Sequence, residues 1–379
     1  MQLEFATKQM SAAMKAVKKM FDKGPFAEAD PGCQDCLVAS ISEGSAMLES
    51  AANGLYTKAT FPADVKEAGK VVINRASLHA LKLFGERSTF KHKPGTNQLE
   101  FKSGQFVGKL SVSEVFAEIE ASRPAKIPEL SISMPALTAK AAGKRTCLNA
   151  TLDTLLRMKL TVEGKCMTLS CNDNFRAAAV RSNLDDDSHG EGEIEVPAVF
   201  FNTVLQSIED SQIHIGFNDN IFRVAGGGFD ICHPVMGKAE KPMVDVFERF
   251  DSLKKTAPDI VATIDTAALK DAISAVSSVA PVGTGSEIKI DLKFSDKNGG
   301  QVTTHVRSAT SSGEFHVPLR SVQINNNKPI AINAKFLLEM MNLLSTDETE
   351  LYAWPRLIIL RSEKVGSCMI MPQLKTSEN

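Results

Sequence analysis

The chain has 379 residues, 43% of them hydrophobic and 23% charged, a globular balance that excludes a disordered or low-complexity protein and accommodates two or three domains of roughly 150 residues. A formal net charge of −2 excludes a uniformly basic nucleic-acid binder, so any affinity for phosphate must come from positive charge segregated to one surface. No run approaches the ~18 apolar residues of a membrane span, the first residues lack a basic-then-apolar leader, and seven cysteines suit a reducing compartment, so a cytoplasmic protein without a membrane partner is expected.

Residues 8–21 place Met10, Met14, Val17 and Phe21 on one helical face, with Lys8, Lys15, Lys18 and Lys19 opposite. Residues 71–81 open as a β-rich segment, reach Asn74, which suits a helix N-cap, and continue as a helix whose solvent face carries Arg75, His79 and Lys82. A hairpin follows, pairing 98–101 with 106–112 around Ser103-Gly104. After a polar, proline-bearing joint at 121–126, residues 135–145 form an Ala-rich helix interrupted by Gly143 and carrying Lys140, Lys144 and Arg145. Residues 194–205 repeat the β-start and helix, with Pro197 where a helix start tolerates a missing N–H and Asn202 on the solvent face. A second hairpin pairs 212–217 with 221–225, and a second joint spans 252–258. Residues 266–280 form a helix on Leu269, Ile273, Val276 and Ala280, with Lys270, Ser274 and Ser277 exposed. Residues 330–341 repeat the start and helix, now with Asn333 as cap and Lys335 outward, before a hairpin of 350–353 with 357–361.

One pattern thus occurs three times. Aligning Ile73, Val196 and Ile332 gives spacings of roughly 120–140 residues, so three copies fill the chain. The fold class expected is α+β, with three repeated domains at 1–126, 127–254 and 255–379, each of two helices packed on antiparallel sheet. If the helices share one side, their basic residues make a positive surface within a near-neutral chain. Lysine contacts to phosphate give affinity without sequence readout. The same lysines also read as the solvated face of any amphipathic helix.

Motifs for catalysis or metals are thin. Cys33 and Cys36 have redox or zinc-ligand spacing, but no second ligand pair follows and no βαβ context surrounds them. Gly226-Gly227-Gly228 does not open a helix and reads as a bend rather than a phosphate cradle. Ala142-Gly143-Lys144-Arg145 lacks the first glycine and the Ser or Thr of a nucleotide loop. Asp185-Asp186-Asp187 with His189 reads as a solvated loop. No enzyme, cofactor or metal is expected.

Over its whole length, as three consecutive copies, the chain resembles the bacterial DNA polymerase III beta subunit, the beta sliding clamp. Residues Asn172-Asp173-Asn174-Phe175-Arg176-Ala177 stand where that family has a Thr-Asp-Gly-His-Arg-Leu turn. Met369-Ile370-Met371-Pro372 resembles its terminal Val-Val-Met-Pro, and Pro242 matches the proline after the middle hairpin. Asn174 and Phe175 replace the family's Gly and His, and the chain continues to Asn379 beyond the usual end. These departures fit a divergent clamp, from a bacteriophage or a distant bacterium, and bear on which partner peptides are accepted. The trimeric clamps of archaea and eukaryotes are less similar, since their chains carry two such domains.

The resemblance implies a non-enzymatic processivity factor. Two chains would close head to tail into a six-domain ring with double-stranded DNA in the hole, held topologically without sequence preference. Lys8, Lys15, Lys18, Lys19, Arg75, Lys82, Lys140, Lys144, Arg145 and Lys270 would line the DNA. The homodimer contact would pair the edge strand carrying Val107 and Leu110 with the third domain near Ser278 and Val279. DNA polymerase and clamp loader would dock short peptide motifs into an apolar groove of Leu155, Asn172, Phe175, Arg176, Ala177, Pro242, Val246, Phe247, Leu357, Met369, Met371 and Pro372. A charged residue at Met371 is then expected to abolish peptide binding and leave the ring intact. The alternative is a repeat-built interaction scaffold that never encircles DNA.

Overall fold

The computed structural model describes residues 1–23, 34–52, 55–147, 157–173, 176–235, 243–279, 288–307, 312–344, 346–363 and 366–373. Its helices are α1 (Thr7–Lys23), α2 (Arg75–Ala80), α3 (Ala117–Ser122), α4 (Ala136–Thr146), α5 (Ala198–Ser207), α6 (Val246–Leu253), α7 (Thr266–Ser278) and α8 (Ala334–Leu344). Within the described residues the apolar stripes fall as their spacing predicts: α1 buries Met10, Met14 and Val17, and α7 buries Leu269, Ile273 and Val276, while the Phe21 side chain and Ala280 lie outside them.

The repeat recurs at the level of single bonds. The opening helix of each copy, α1, α4 or α7, begins directly after a strand: Gln2–Ala6, Ile132–Pro135 or Ile260–Asp265. The first helical amide is fixed in the same way each time. Thr7 N donates to the Glu86 carbonyl at 2.9 Å, Ala136 N to Ser211 at 2.8 Å and Thr266 N to Asp347 at 2.9 Å. In the first and third copies a hydroxyl pair sits beside that bond, Thr7 with Ser88 at 2.9 Å and Thr266 with Thr349 at 2.8 Å.

The second helices are capped as read. Asn74 Oδ1 accepts from Ser77 N at 3.2 Å and Asn333 Oδ1 from Phe336 N at 3.3 Å, each satisfying an otherwise unpaired first-turn donor. Pro197 precedes α5 with φ −62° and no side-chain cap. Two further short helices, α3 and α6, were not expected; each ends within the first two residues of the joint expected at 121–126 or 252–258. Asp245 caps α6 by accepting from Glu248 N at 2.9 Å. Val246, Phe247, Phe250 and Leu253 lie at helical spacing on the covered side of α6.

The chain forms two compact units, Met1–Lys140 with Glu163–Lys165 and Leu184–Gly237, and Ala141–Val162 with Cys166–Asn183 and Lys238–Asn379. In the first, eight strands from the first copy close on themselves, because Gln2–Ala6 pairs with both Arg87–His92 and Leu55–Glu67. The sheet then runs on from Leu55–Glu67 into Phe229–Pro234, Ile221–Gly226, Gln212–Phe217 and Ile132–Pro135. In the second unit a sheet runs from Cys166–Asn172 through Ala177–Asn183, Ser367–Pro372, Leu357–Ser362, Glu348–Trp354, Ile260–Asp265, Ser312–Ile324, Gln301–Arg307 and Lys289–Ser295 to Ile330–Asn333. Strands of the middle copy therefore extend the sheets of both its neighbours in sequence.

The glycine triplet is a turn between antiparallel strands, with Gly227 at φ +59° and Gly228 at φ +81°. A Cβ on Gly228 would lie 2.5 Å from the Thr60 carbonyl oxygen. Close backbone approach, not phosphate binding, explains that glycine.

Candidate functional site

Helix α1 carries the basic surface most clearly. Lys8, Lys15 and Lys18 are exposed, while the Lys19 side chain lies outside the described residues. Lys8 and Lys15 share a face and border a cleft of about 540 Å³ whose other walls include Thr60, Gln206, Ser207 and Glu209. The sequence reading missed this cleft, because it joins α1 to the end of α5 across most of the first unit's sequence. Gln206 Nε2 donates to the Lys140 carbonyl at 3.1 Å, so that wall is fixed to α4.

The remaining basic residues are less uniform. Lys144 is exposed and Lys140 half-buried. Burial lowers the pKa of Arg145 and of Lys270 from their ordinary values, and both are half-buried. Lys82 is exposed but lies beyond α2, which ends at Ala80.

Arg75 corrects the expectation of a solvent-facing side chain. It is 7% exposed, and its Nε donates to Asp35 Oδ1 at 3.0 Å inside the first unit. Asp35 also accepts from Ser50 Oγ. A buried guanidinium tied to a fully buried carboxylate is a structural ion pair.

The expected groove residues all belong to the second unit, except that Leu155, Phe175 and Pro242 lie outside the described residues. They divide over two faces of the sheet. Strand Ser367–Pro372 alternates, as a strand must. Met369 and Met371, 0% and 1% exposed, pack into the core with Leu337, Met340, Met341 and Leu344 of α8. Cys368 and Ile370 turn to the opposite face, where Ala177, Val246, Phe247, Phe250, Trp354 and the half-buried Leu357 gather with α6. The two methionines are thus core residues and do not line a surface with Ala177 and Phe247. A charge at Met371 would be buried, so that substitution tests folding rather than peptide binding.

Helix α6 is held on its face by rings and cations. Phe250 meets Tyr352 edge-on at 5.0 Å, Arg181 lies 4.0 Å over the Phe247 ring, and Trp354 Nε1 donates to the Thr256 carbonyl at 3.0 Å. Asn172 is half-buried and Pro372 exposed at the ends of their strands.

Arg176 is 6% exposed. Its Nε and Nη2 donate to Asp173 Oδ2 at 3.1 and 2.9 Å, Nη1 donates to Glu339 of α8, and its guanidinium carbon lies 4.4 Å from the Phe336 ring centre. The hairpin end is closed on itself as well, with Arg176 N donating to Asp173 Oδ1 at 2.6 Å and Asp173 N to the Arg176 carbonyl at 2.9 Å.

Each unit also has an open strand edge among the described residues. In the first, 106–111 pair only with Gln98–Ser103, and Val107 is 68% exposed with Leu110 half-buried. In the second, the start of Ser312–Ile324 pairs only with Gln301–Arg307, and Phe315 is exposed there. Ser278 and Val279, at the end of α7, are exposed.

Among the described residues no group of His, Cys, Asp or Glu is arranged to hold a metal. Cys33 lies outside them. Cys36 is buried in strand Gln34–Ser40, and burial pushes its thiol up to about 12, so it carries no thiolate at neutral pH. Asp185 accepts from Ser133 Oγ at 3.2 Å, and the Asp186 carbonyl accepts from Lys165 Nζ, both structural contacts. No helix among the described residues is long and apolar enough to cross a membrane.

No family model matches the chain, and no curated protein matches it in sequence. Its fold is that of the DNA sliding clamps. The beta subunit from DNA polymerase of Streptococcus pyogenes superposes with a TM-score of 0.80 at 11% identity, covering 99% of this chain and 100% of that one. The DNA polymerase sliding clamp from Bacillus subtilis gives 0.80 at 12% identity, covering 99% of each chain. The DNA polymerase III beta subunit from Thermotoga maritima gives 0.77 at 12%, covering 99% of this chain and 100% of that one.

Proposed function

We propose that the protein is a DNA sliding clamp: a non-enzymatic processivity factor that encircles duplex DNA and tethers replication proteins to it. The observation that carries this reading is the agreement in fold from end to end, with a TM-score of 0.80 over 99% of this chain and 100% of the Streptococcus pyogenes subunit. The domains would be 1–126, 127–254 and 255–379. Two chains would form the ring by joining the open edge at Val107 and Leu110 of one to the open edge at Ser312–Ile324 of the other, with Ser278 and Val279 beside it. Exposed apolar residues on both edges support this pairing, since an uncovered strand edge is a template for another chain. Lys8, Lys15, Lys18, Lys140, Lys144, Arg145 and Lys270 would face the DNA. Retention is then topological, and weak, mobile contacts to phosphate suffice.

Polymerase and clamp loader would dock peptides on the α6 face, at Asn172, Ala177, Phe247, Leu357 and Pro372. The half-buried apolar rim there fits aliphatic and aromatic anchors.

Negative-stain imaging of the purified protein, paired with a salt titration of DNA binding, tests the reading. Six-lobed rings with an open centre are expected. Replacing Lys8, Lys15, Lys140 and Lys144 by alanine should flatten the salt dependence by about 0.9 in log–log slope per lost phosphate contact. Three-lobed particles with an unchanged slope would overturn it.

A further inference from the structure

We infer that Glu339 on α8 is a positioning residue for the partner-peptide site, a deepening that rests on the α6-face reading above. Asn172, Asp173, Arg176 and Ala177, the described residues of the hairpin end, border that face, because Ala177 pairs with Ile370 and packs among the α6 residues. Arg176 ties the hairpin end to a helix on the other face of the sheet. Arg176 leaves the turn, stacks on Phe336 at 4.4 Å and reaches the Glu339 carboxylate. Both anchors stand on α8, whose apolar residues are buried against the sheet core, so the tether ends on a rigid element.

The two carboxylates on Arg176 do different work. Asp173 is three residues away within the same turn and grips Nε and Nη2, so it holds the guanidinium locally. Glu339 supplies an ion pair that leaves the hairpin. Replacing Glu339 with glutamine leaves the buried guanidinium its charge partner in Asp173, so the unit should stay folded while the tether weakens. The hairpin end would then sample positions that a peptide cannot use. A reduced competent fraction raises the apparent dissociation constant in proportion, through the association rate, whereas loss of a direct contact raises the dissociation rate.

The test is stopped-flow binding of a labelled synthetic peptide carrying leucine and phenylalanine anchors to the full-length protein and to Glu339→Gln. An association rate lower by about tenfold with an unchanged dissociation rate is expected. Arg176→Lys, which keeps the charge but cannot bridge two carboxylates, should behave alike, and the double variant should add nothing further. Unchanged rates, or a change confined to dissociation, would overturn the assignment and leave the docking face standing. No binding by the unaltered protein would instead overturn the docking face. In that event amide exchange at Asp173 and Arg176 decides the tether: faster exchange in Glu339→Gln supports it and equal exchange overturns it.

Discussion

The short helices that follow the last hairpins of the first and second copies, α3 and α6, occupy similar places in their repeats and close over sheet in different ways. Beneath α3, Ile119 packs among Cys36, Ala51, Tyr56, Val72 and Cys232, with Val38, Phe116 and Ile221 half-buried at the edge, and a charged network is sealed beside them. Glu49 is 2% exposed and accepts from Tyr56 Oη at 2.5 Å and from Arg123 Nη2 at 2.6 Å, just past the helix end. Burial, then the bond to Glu49, push the Tyr56 phenol up. Lys70 adds a further clasp, 3.8 Å over the Phe116 ring and 3.3 Å from Glu120. Beneath α6 the centre is aromatic, and Leu253, Tyr352, Leu357 and Ile370 are left half-buried at its edge. Apolar residues are left half-buried beside both helices, but those at α3 adjoin a satisfied charged network that a partner would cover at a cost, whereas those at α6 adjoin aromatic rings. That difference favours the α6 face over the α3 face for the proposed peptide site.

The sharpest way to break the comparison is to place a charge on each side of the α6 sheet. Met371→Glu buries an unpaired carboxylate in the core and should destabilise the second unit by roughly 3–5 kcal/mol or more. Leu357→Glu lies at the half-buried rim and should stay within about 1 kcal/mol while weakening peptide binding. Urea denaturation and peptide titration of both variants read this directly. A well-folded Met371→Glu protein that had lost peptide binding would reverse the assignment of faces.

Acid should act on the first unit through His233. Burial holds this ring below its ordinary 6.5, at about 4, beside Phe200 at 4.2 Å. The neutral form is favoured in the fold, so the unfolded chain takes up the proton first. The contribution of this ring is full above pH 6.5, falls as pH drops and is lost by about pH 4, a loss of about 3 kcal/mol. Denaturant midpoints between pH 7 and 4 should fall, and His233→Gln should fall less steeply. Equal slopes would show that the ring takes up its proton equally readily in the fold and in the unfolded chain.

A more modest effect is expected at the polar closure itself. Glu49→Gln keeps the shape but weakens two hydrogen bonds to a charged group, and should cost about 1–3 kcal/mol by urea denaturation without altering peptide affinity. Altered affinity would place a partner on the α3 side as well.

Much of this was legible from residues alone, and one error was avoidable. Arg75 follows Asn74, and the equivalent first helical positions of the other copies are Ala198 and Ala334, 0% and 2% exposed. Two alanines in register mark a position pressed against sheet, so the repeat carried the signal that Arg75 is inside. Met371 was harder. Alternation assigns Met369 and Met371 to one face of their strand and Ile370 to the other, but apolar residues stand on both, so pattern cannot say which face lies under α6. Arg176 was legible as a residue of the turn, yet its partner Glu339 is 163 residues away and no local spacing points to it.

The sequence by itself determined the threefold pattern, the apolar stripes of α1 and α7 and the caps at Asn74 and Asn333, because these depend on bonds and periodicities within a few residues. Only the tertiary structure decided that Arg75 meets Asp35, that Glu49 is sealed beneath α3, and that Met371 faces α8 while Leu357 faces α6. Those outcomes depend on which of two sheet faces a helix covers and on carboxylates distant in the chain. Burial then makes each of those contacts necessary, because a charge withdrawn from water must find its partner wherever the fold supplies one.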